Sequence, residues 1–233
     1  MLFSVKGVQA FYGESHILHG VDLEVGEGEV VCLLGRNGVG KTTFLNTVTG
    51  LVDRRTGVIE FDGDDLTARS PYEIARRGIS LVPEDRGIFG GLTVYQNLLL
   101  GTMNGRTQVG EAVSEVYQYF PILEERRHQS AETLSGGEQQ MLAIARGLVG
   151  RPKLILIDEF SEGLQPSMVT RIAEIIEAIH RRGVSVLLVE QNSRLALSLA
   201  SRFYIMEKGR IVRSGSVADL EGDEATLRRY LLI

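Results

Sequence analysis

The run Gly35-Arg36-Asn37-Gly38-Val39-Gly40-Lys41-Thr42-Thr43 carries the full phosphate-loop spacing G-x-x-x-x-G-K-[ST]. Its glycines let successive backbone N–H groups turn inward around a phosphate chain, where a side chain would block the approach. A helix over 41–50 then sets its positive end on the same anion. In that geometry Lys41 reaches the β- and γ-phosphates of ATP, and the Thr42 hydroxyl sits on Mg²⁺. The plain alternative is a glycine-rich turn that happens to contain a lysine. An apolar strand before the loop and a helix after it favour phosphate binding.

Two further segments fit the same chemistry. The apolar run 154–157 ends in Asp158 and Glu159. Asp158 suits the contact to the metal that phosphate-loop enzymes need, and Glu159 is placed to accept a proton from an attacking water. Strands do end in polar residues simply on reaching solvent, so this reading leans on the phosphate loop. The third segment, Leu134-Ser135-Gly136-Gly137-Glu138-Gln139-Gln140, opens a helix over 139–150. Ser135 and Glu138 form a capping box, and the glycine pair leaves the first N–H groups bare as a second anion site. One molecule does not use both anion sites on one ATP. The expectation is a head-to-tail dimer with each nucleotide sandwiched.

These residues need a scaffold, and the composition supplies one. The chain has 233 residues, 43% of them apolar and 24% charged, enough for a sizeable core and against wholesale disorder. Its 27 glycines fall in clusters without a period, which excludes collagen and points to close backbone approaches. A single Cys excludes an internal disulfide and predicts a reducing compartment. The net charge of −5 argues against a nucleic-acid partner. Residues 1–6 lack the pattern of a signal peptide, and no apolar run approaches a membrane span. An intracellular chain that serves a membrane only through a partner is expected.

Strands are predicted near 2–8, 17–25, 57–62, 79–82, 184–189 and 203–213, the last region folded back at Glu207-Lys208-Gly209-Arg210. The continuously apolar runs 30–34 and 154–157 suit strands buried on both faces of a parallel sheet. A helix is predicted over 167–182, where Ile172, Ile175, Ile176 and Ile179 share a face before Gly183. From 92 to 150 the chain reads as helix after helix. Thr93 and Gln96 cap one helix, and Val109, Val113, Val116, Tyr117 and Phe120 stripe the next. The fold expected is α/β with a parallel core and an inserted helical subdomain.

Taken in order, the phosphate loop, the Leu134–Gln139 segment and the Asp158-Glu159 strand end resemble the ATP-binding subunit of an ABC transporter, over essentially the whole chain. The resemblance implies a P-loop NTPase of ABC ATPase type: a mixed sheet core, a helical subdomain at about 90–150, and an N-terminal antiparallel β subdomain, in a single domain over 1–233. It further implies that Tyr12 stacks on adenine and that Ser161-Glu162-Gly163-Leu164 crosses a dimer interface. Finer features are similar to the shorter ATPase subunit of branched-chain amino-acid importers. These are Val82-Pro83-Glu84-Asp85-Arg86-Gly87-Ile88-Phe89, Leu92-Thr93-Val94, Asn97-Leu98-Leu99-Leu100-Gly101, Leu188-Val189-Glu190-Gln191-Asn192 and a short C-terminus without a regulatory domain. Urea and short-chain amide importers have closely similar subunits, which Cys32-Leu33-Leu34-Gly35-Arg36-Asn37-Gly38-Val39-Gly40 resembles, and both substrates stay open.

Some positions depart from the family pattern. Glu84 stands where most members have Gln, and an anion there still helps hold Mg²⁺ and water. Gln191 stands at the switch-histidine position, able to hydrogen-bond the γ-phosphate but not to carry a proton. Phe160 replaces the Pro after the catalytic Glu, and Asp85 and Gly90-Gly91 also differ. His16 and His19 read as a loop-to-strand entry and His128 and His180 as solvated, so no histidine metal site is expected. The resulting expectation is an ATPase with Lys41, Glu159 and Gln191 as catalytic residues. Its partners are membrane-embedded permease subunits, a second ATP-binding subunit (a paralogue or its own copy) and, indirectly, a substrate-binding protein. It would lie in the cytoplasm on the inner face of the membrane. The rivals are a soluble ABC-type ATPase working on nucleic acid or ribosomes, and a nucleotide-gated interaction module with weak hydrolysis.

Overall fold

The computed structural model describes residues 1–102 and 108–220. The chain opens as an antiparallel hairpin of β1 (Phe3–Tyr12) and β2 (Ser15–Val25). β3 (Val30–Leu34), buried at all its residues, leads into the phosphate loop and α1 (Lys41–Val48). β4 (Arg54–Phe61) and the short β5 (Asp64–Asp65) return to the hairpin and complete an antiparallel sheet in the order β2-β1-β4-β5. α2 (Pro71–Arg77) is held between a Ser70–Glu73 capping box and a left-handed Gly78, and β6 (Ile79–Val82) follows. Next come α3 (Val94–Gly101), α4 (Val109–Tyr119), α5 (Pro121–Glu125) and α6 (Gly136–Val149). The chain then alternates β7 (Leu154–Asp158), α7 (Pro166–Arg181), β8 (Ser185–Glu190) and α8 (Ser193–Leu199), and ends its described part with the hairpin β9 (Arg202–Glu207) and β10 (Arg210–Ser216). The second sheet runs β10-β9-β3-β8-β7-β6, parallel except for β10.

The parallel strands are apolar on both faces because both faces are covered. Val30, Cys32 and Leu34 of β3, with Ile155 and Ile157 of β7, pack toward the helices α3 to α7. Val31 and Leu33, with Leu154 and Leu156, pack toward α1 and the antiparallel sheet. The two-residue period of a strand thus splits one apolar run between two cores. The carboxyl ends of β3, β8 and β7 lie side by side, with Leu34 opposite Glu190 and Asp158 opposite Val189. Ligands of open α/β sheets bind at that edge.

Several bounds differ from expectation. β1 runs on to Tyr12, and β2 starts at Ser15, so His16 and His19 lie inside a strand and not at a loop entry. They are held by rings: His16 stacks on Phe11 at 4.2 Å and meets His19 at 4.1 Å. β4 begins at Arg54, and its Gly57 (φ 99°) lies so close to Gly7 that a Cβ would sit 2.7 Å from the Gly7 carbonyl oxygen. α6 begins at Gly136, because the Ser135 cap starts the helix ahead of its two poor helix formers. His180 is not solvated on both nitrogens: its Nδ1 is buried. Among the described residues between 92 and 150 there is no strand, only a single bridge between Thr93 and Ser130. The chain end, read from the sequence as short and without a regulatory domain, lies outside the described residues.

Candidate nucleotide-binding site

The phosphate loop is set by close approaches. A Cβ on Gly35 would lie 2.6 Å from the Met206 carbonyl oxygen, and Gly40, at φ 111°, would bring one 3.1 Å from Leu18. The β9–β10 turn braces the loop from outside, with Gly209 N–H donating to the Val39 carbonyl at 2.8 Å. Lys41 is only 4% exposed. Its Nζ donates to the carbonyls of Gly35 (2.8 Å) and Arg36 (3.1 Å) and pairs with Glu159 Oε1 at 2.9 Å. In a buried setting that pairing matters, because each charge would be expensive alone. Arg36, Asn37 and Gly38 stand exposed at the rim, and Thr43 is half-buried. Tyr12 ends β1 with 48% of its surface exposed.

Facing the lysine is a group of acids. Burial pushes Asp158 up to about 6; the charges of Glu159 and Glu84 add to this, while a Thr42 hydrogen bond and Lys41 oppose it. Asp158 Oδ1 is buried with no hydrogen-bond partner among the described residues. Glu159 takes a left-handed backbone (φ 42°), costly for a residue with a Cβ, and its N–H donates to the Val189 carbonyl at 2.8 Å. Glu162 shares a hydrogen bond with Glu159, which raises its pKa. Glu84, Asp85, Arg86 and Glu162 line a cavity of about 260 Å³ beside it. The orphaned Asp158 oxygen, the adjoining Thr42 hydroxyl and an excess of carboxylates fit a hard divalent cation with oxygen ligands.

The Ser135 segment is built separately. The capping box is closed: Ser135 N–H and Oγ donate to Glu138 Oε2 at 2.8 Å each, and Glu138 Oε1 pairs with Arg126 at 3.0 Å. The glycines do more than bare the helix end. A Cβ on Gly137 would lie 2.4 Å from Met168 Cγ on α7, so this glycine is a packing requirement; Gly136 remains exposed under the Arg86 guanidinium. Arg86 (φ 65°) donates to Gln139 at 3.1 Å, and Arg146 of α6 holds the carbonyls of Arg86 (3.1 Å) and Gly87 (2.8 Å). The Glu84 loop is thereby stapled to α6. Among the described residues no hydrogen bond or ion pair joins 135–140 to 35–43.

A family profile described as ABC transporter matches residues 18–162. The chain belongs to the ABC transporter family. It is 44% identical over 231 residues to the high-affinity branched-chain amino acid transport ATP-binding protein BraG of Pseudomonas aeruginosa, covering 99% of each chain. It is 36% identical to the lipopolysaccharide export system ATP-binding protein LptB of Escherichia coli K12, over 98% of this chain and 96% of that one. A nucleotide-free ATP-binding cassette superposes with a TM-score of 0.86 at 24% identity, covering 99% of this chain and 97% of that one. The dimeric cassette MJ0796, bound to ADP and Pi, superposes with a TM-score of 0.82 at 26% identity, over 93% and 99% of the two chains. The molecule is an ATP-binding, ATP-hydrolysing ABC subunit.

In this ABC ATPase the structure gathers Lys41, Thr42, Asp158, Glu159 and Glu84, while Ser135, Gly136, Gly137 and Glu138 make no hydrogen bond or ion pair with the phosphate loop among the described residues and are tied to the Glu84 loop through Arg86 and Gln139. Gln191 is exposed on the bend after β8. Phe160 is 1% exposed and sunk among the core residues that α4, α6 and α7 share. Its aromatic bulk anchors the chain just past Glu159. Three residues had no separate role in the sequence reading: Glu162, Arg86 and Glu190. Glu190 carries the same signal as Asp158, an acid closing an apolar strand.

Proposed function

We propose that this subunit powers a membrane importer of branched-chain amino acids, working as one half of a dimer with two composite ATP sites. The observation that carries the composite site is the one just described. A phosphate loop and a Ser135-capped helix end stand as two anion-binding halves with no hydrogen bond or ion pair between them among the described residues. The facing subunit, a copy or a paralogue, supplies the other half. The whole-length likeness to BraG supports the cargo class, and the weaker likeness to LptB makes export the second reading.

ATP phosphates take the loop's N–H groups, and Tyr12 stacks on adenine. Lys41 turns from Glu159 to the β- and γ-phosphates. Thr42, Asp158 and Glu84 would hold Mg²⁺, which when bound neutralises phosphate charge. Glu159, released from the lysine, accepts a proton from water as the water oxygen bonds to the γ-phosphorus and the bond to the bridging oxygen breaks, leaving ADP and phosphate. Gln191 hydrogen-bonds the γ-phosphate, and Ser135, Gly136, Gly137 and Glu138 of the facing subunit cover it. Positioning and charge stabilisation do most of this work.

A groove of about 510 Å³ beside the Glu84 loop, lined by Tyr72, Arg76, Phe89, Leu100 and Arg146, is the contact proposed for the permease. Tyr72 and Phe89 are exposed there. No described helix is long and apolar enough to cross a membrane, in keeping with a subunit held to the inner face by its partners. The chain acts as a single ABC ATP-binding domain with the helices of about 90–150 as its subdomain. Glu159→Gln should bind ATP and dimerise yet hydrolyse at less than about a tenth of the normal rate; near-normal turnover removes Glu159 from its role. Cells lacking the subunit should lose uptake of labelled leucine, and unchanged uptake with impaired export would favour the second reading.

A further inference from the structure

Glu190 closes β8 and is only 2% exposed. Among the described residues it makes no ion pair. Its two carboxylate oxygens are instead both taken by one residue: Ser161 N–H donates to Oε1 at 3.2 Å and Ser161 Oγ–H to Oε2 at 2.9 Å. An Asn192 backbone group adds a further hydrogen bond. A carboxyl this deep is costly to keep, and a strand end at this position needs no acid to be stable. The burial itself therefore calls for an explanation.

The surroundings give one. Glu190 lies opposite Leu34, the residue before the phosphate loop, and directly follows Val189, whose carbonyl receives the Glu159 N–H. Ser161 comes two residues after Glu159, and Phe160 between them is fixed in the core. Glu159 is thus a strained residue pinned on one side by the sheet and on the other by Phe160 and Ser161. We infer that Glu190 is a positioning residue for hydrolysis: its carboxylate clamps Ser161, and so holds Glu159 where it meets the attacking water. This rests on Glu159 being the base.

The test is steady-state ATP hydrolysis by the purified full chain. Glu190→Gln preserves shape but offers Ser161 one acceptor in place of two, and Ser161→Ala removes the hydroxyl from the other side. Because a displacement of about 1 Å costs up to about 100-fold in rate, each variant should lower kcat by about tenfold or more. The KM for ATP should stay within about twofold, since neither residue binds nucleotide. The double variant should be no slower than the slower single one, because both break the same clamp. Either variant within about twofold of the normal kcat, a kcat loss that multiplies in the double variant, or a KM that moves along with kcat would overturn the inference. Glu159→Gln run in parallel separates the two claims. If it is slow while Glu190→Gln is normal, the clamp alone fails; if it turns over normally, the base assignment falls and takes the clamp with it.

Discussion

At the scale of single residues, the site is a balance of buried charge. Lys41 and Glu159, 4% and 8% exposed, neutralise each other. Removing the cation alone strands an acid, so Lys41→Ala should lose about 3 kcal/mol or more of nucleotide-free stability, read by urea denaturation. Glu159→Gln, whose amide oxygen still accepts from the lysine, should lose less; a Lys41→Ala loss below about 1 kcal/mol would show that the ion pair does not matter. Glu190 is a different case. Burial pushes it up to about 7, with the nearby Glu159 charge adding, against an ordinary 4.5 in the unfolded chain. Between those values the folded state holds the extra proton, so stability falls as pH rises from about 4.5 to about 7. The shift corresponds to about 3 kcal/mol. Glu190→Gln carries no such penalty, and its stability relative to the natural chain should improve by about that amount between pH 4.5 and 8. A pH-independent difference would contradict the burial argument. Lys41, Asp158 and Glu159 were legible in the sequence because each sits in its own local motif, the phosphate loop or the acid-ended apolar strand. The Ser161–Glu190 clamp was not, because its two halves are joined only by the fold.

At the scale of elements, glycine sets how closely helices meet. Gly137 lies in the first turn of α6, where a Cβ would fall 2.4 Å from Met168 Cγ of α7. Gly137→Ala should destabilise by about 1–3 kcal/mol through overpacking, and Met168→Ala in the same chain should recover part of the loss, both read by thermal or urea unfolding. A strictly additive pair would mean that the contact does not hold the helix end. The all-apolar strands β3 and β7 were plain in the sequence, since burial on both faces leaves an uninterrupted run. β4 was cut short because Gly57 breaks its pattern, and the glycine is there for the approach to Gly7. The start of α6 was placed late because helix propensity argues against Gly136 and Gly137, whereas the Ser135 cap and the α7 contact decide the outcome.

At the scale of the whole molecule, the carboxyl ends of β3, β7 and β8 bring the phosphate loop, Asp158 and Glu159 to one sheet edge, while the Ser135 segment starts α6 and packs on α7. The α/β class and the helical stretch followed from alternation and its interruption. The ring-packed β2 and the Arg86–Gln139 and Arg146 staple did not, because they depend on partners distant in sequence. On the proposed reading, a facing subunit finishes each site. The most direct measurement is ATP turnover per chain as the purified protein is diluted, with Mg²⁺ and ATP saturating. A composite site requires turnover per chain to fall as dilution separates the subunits, and to recover on reconcentration. A rate per chain that stays constant across the whole dilution series would contradict it.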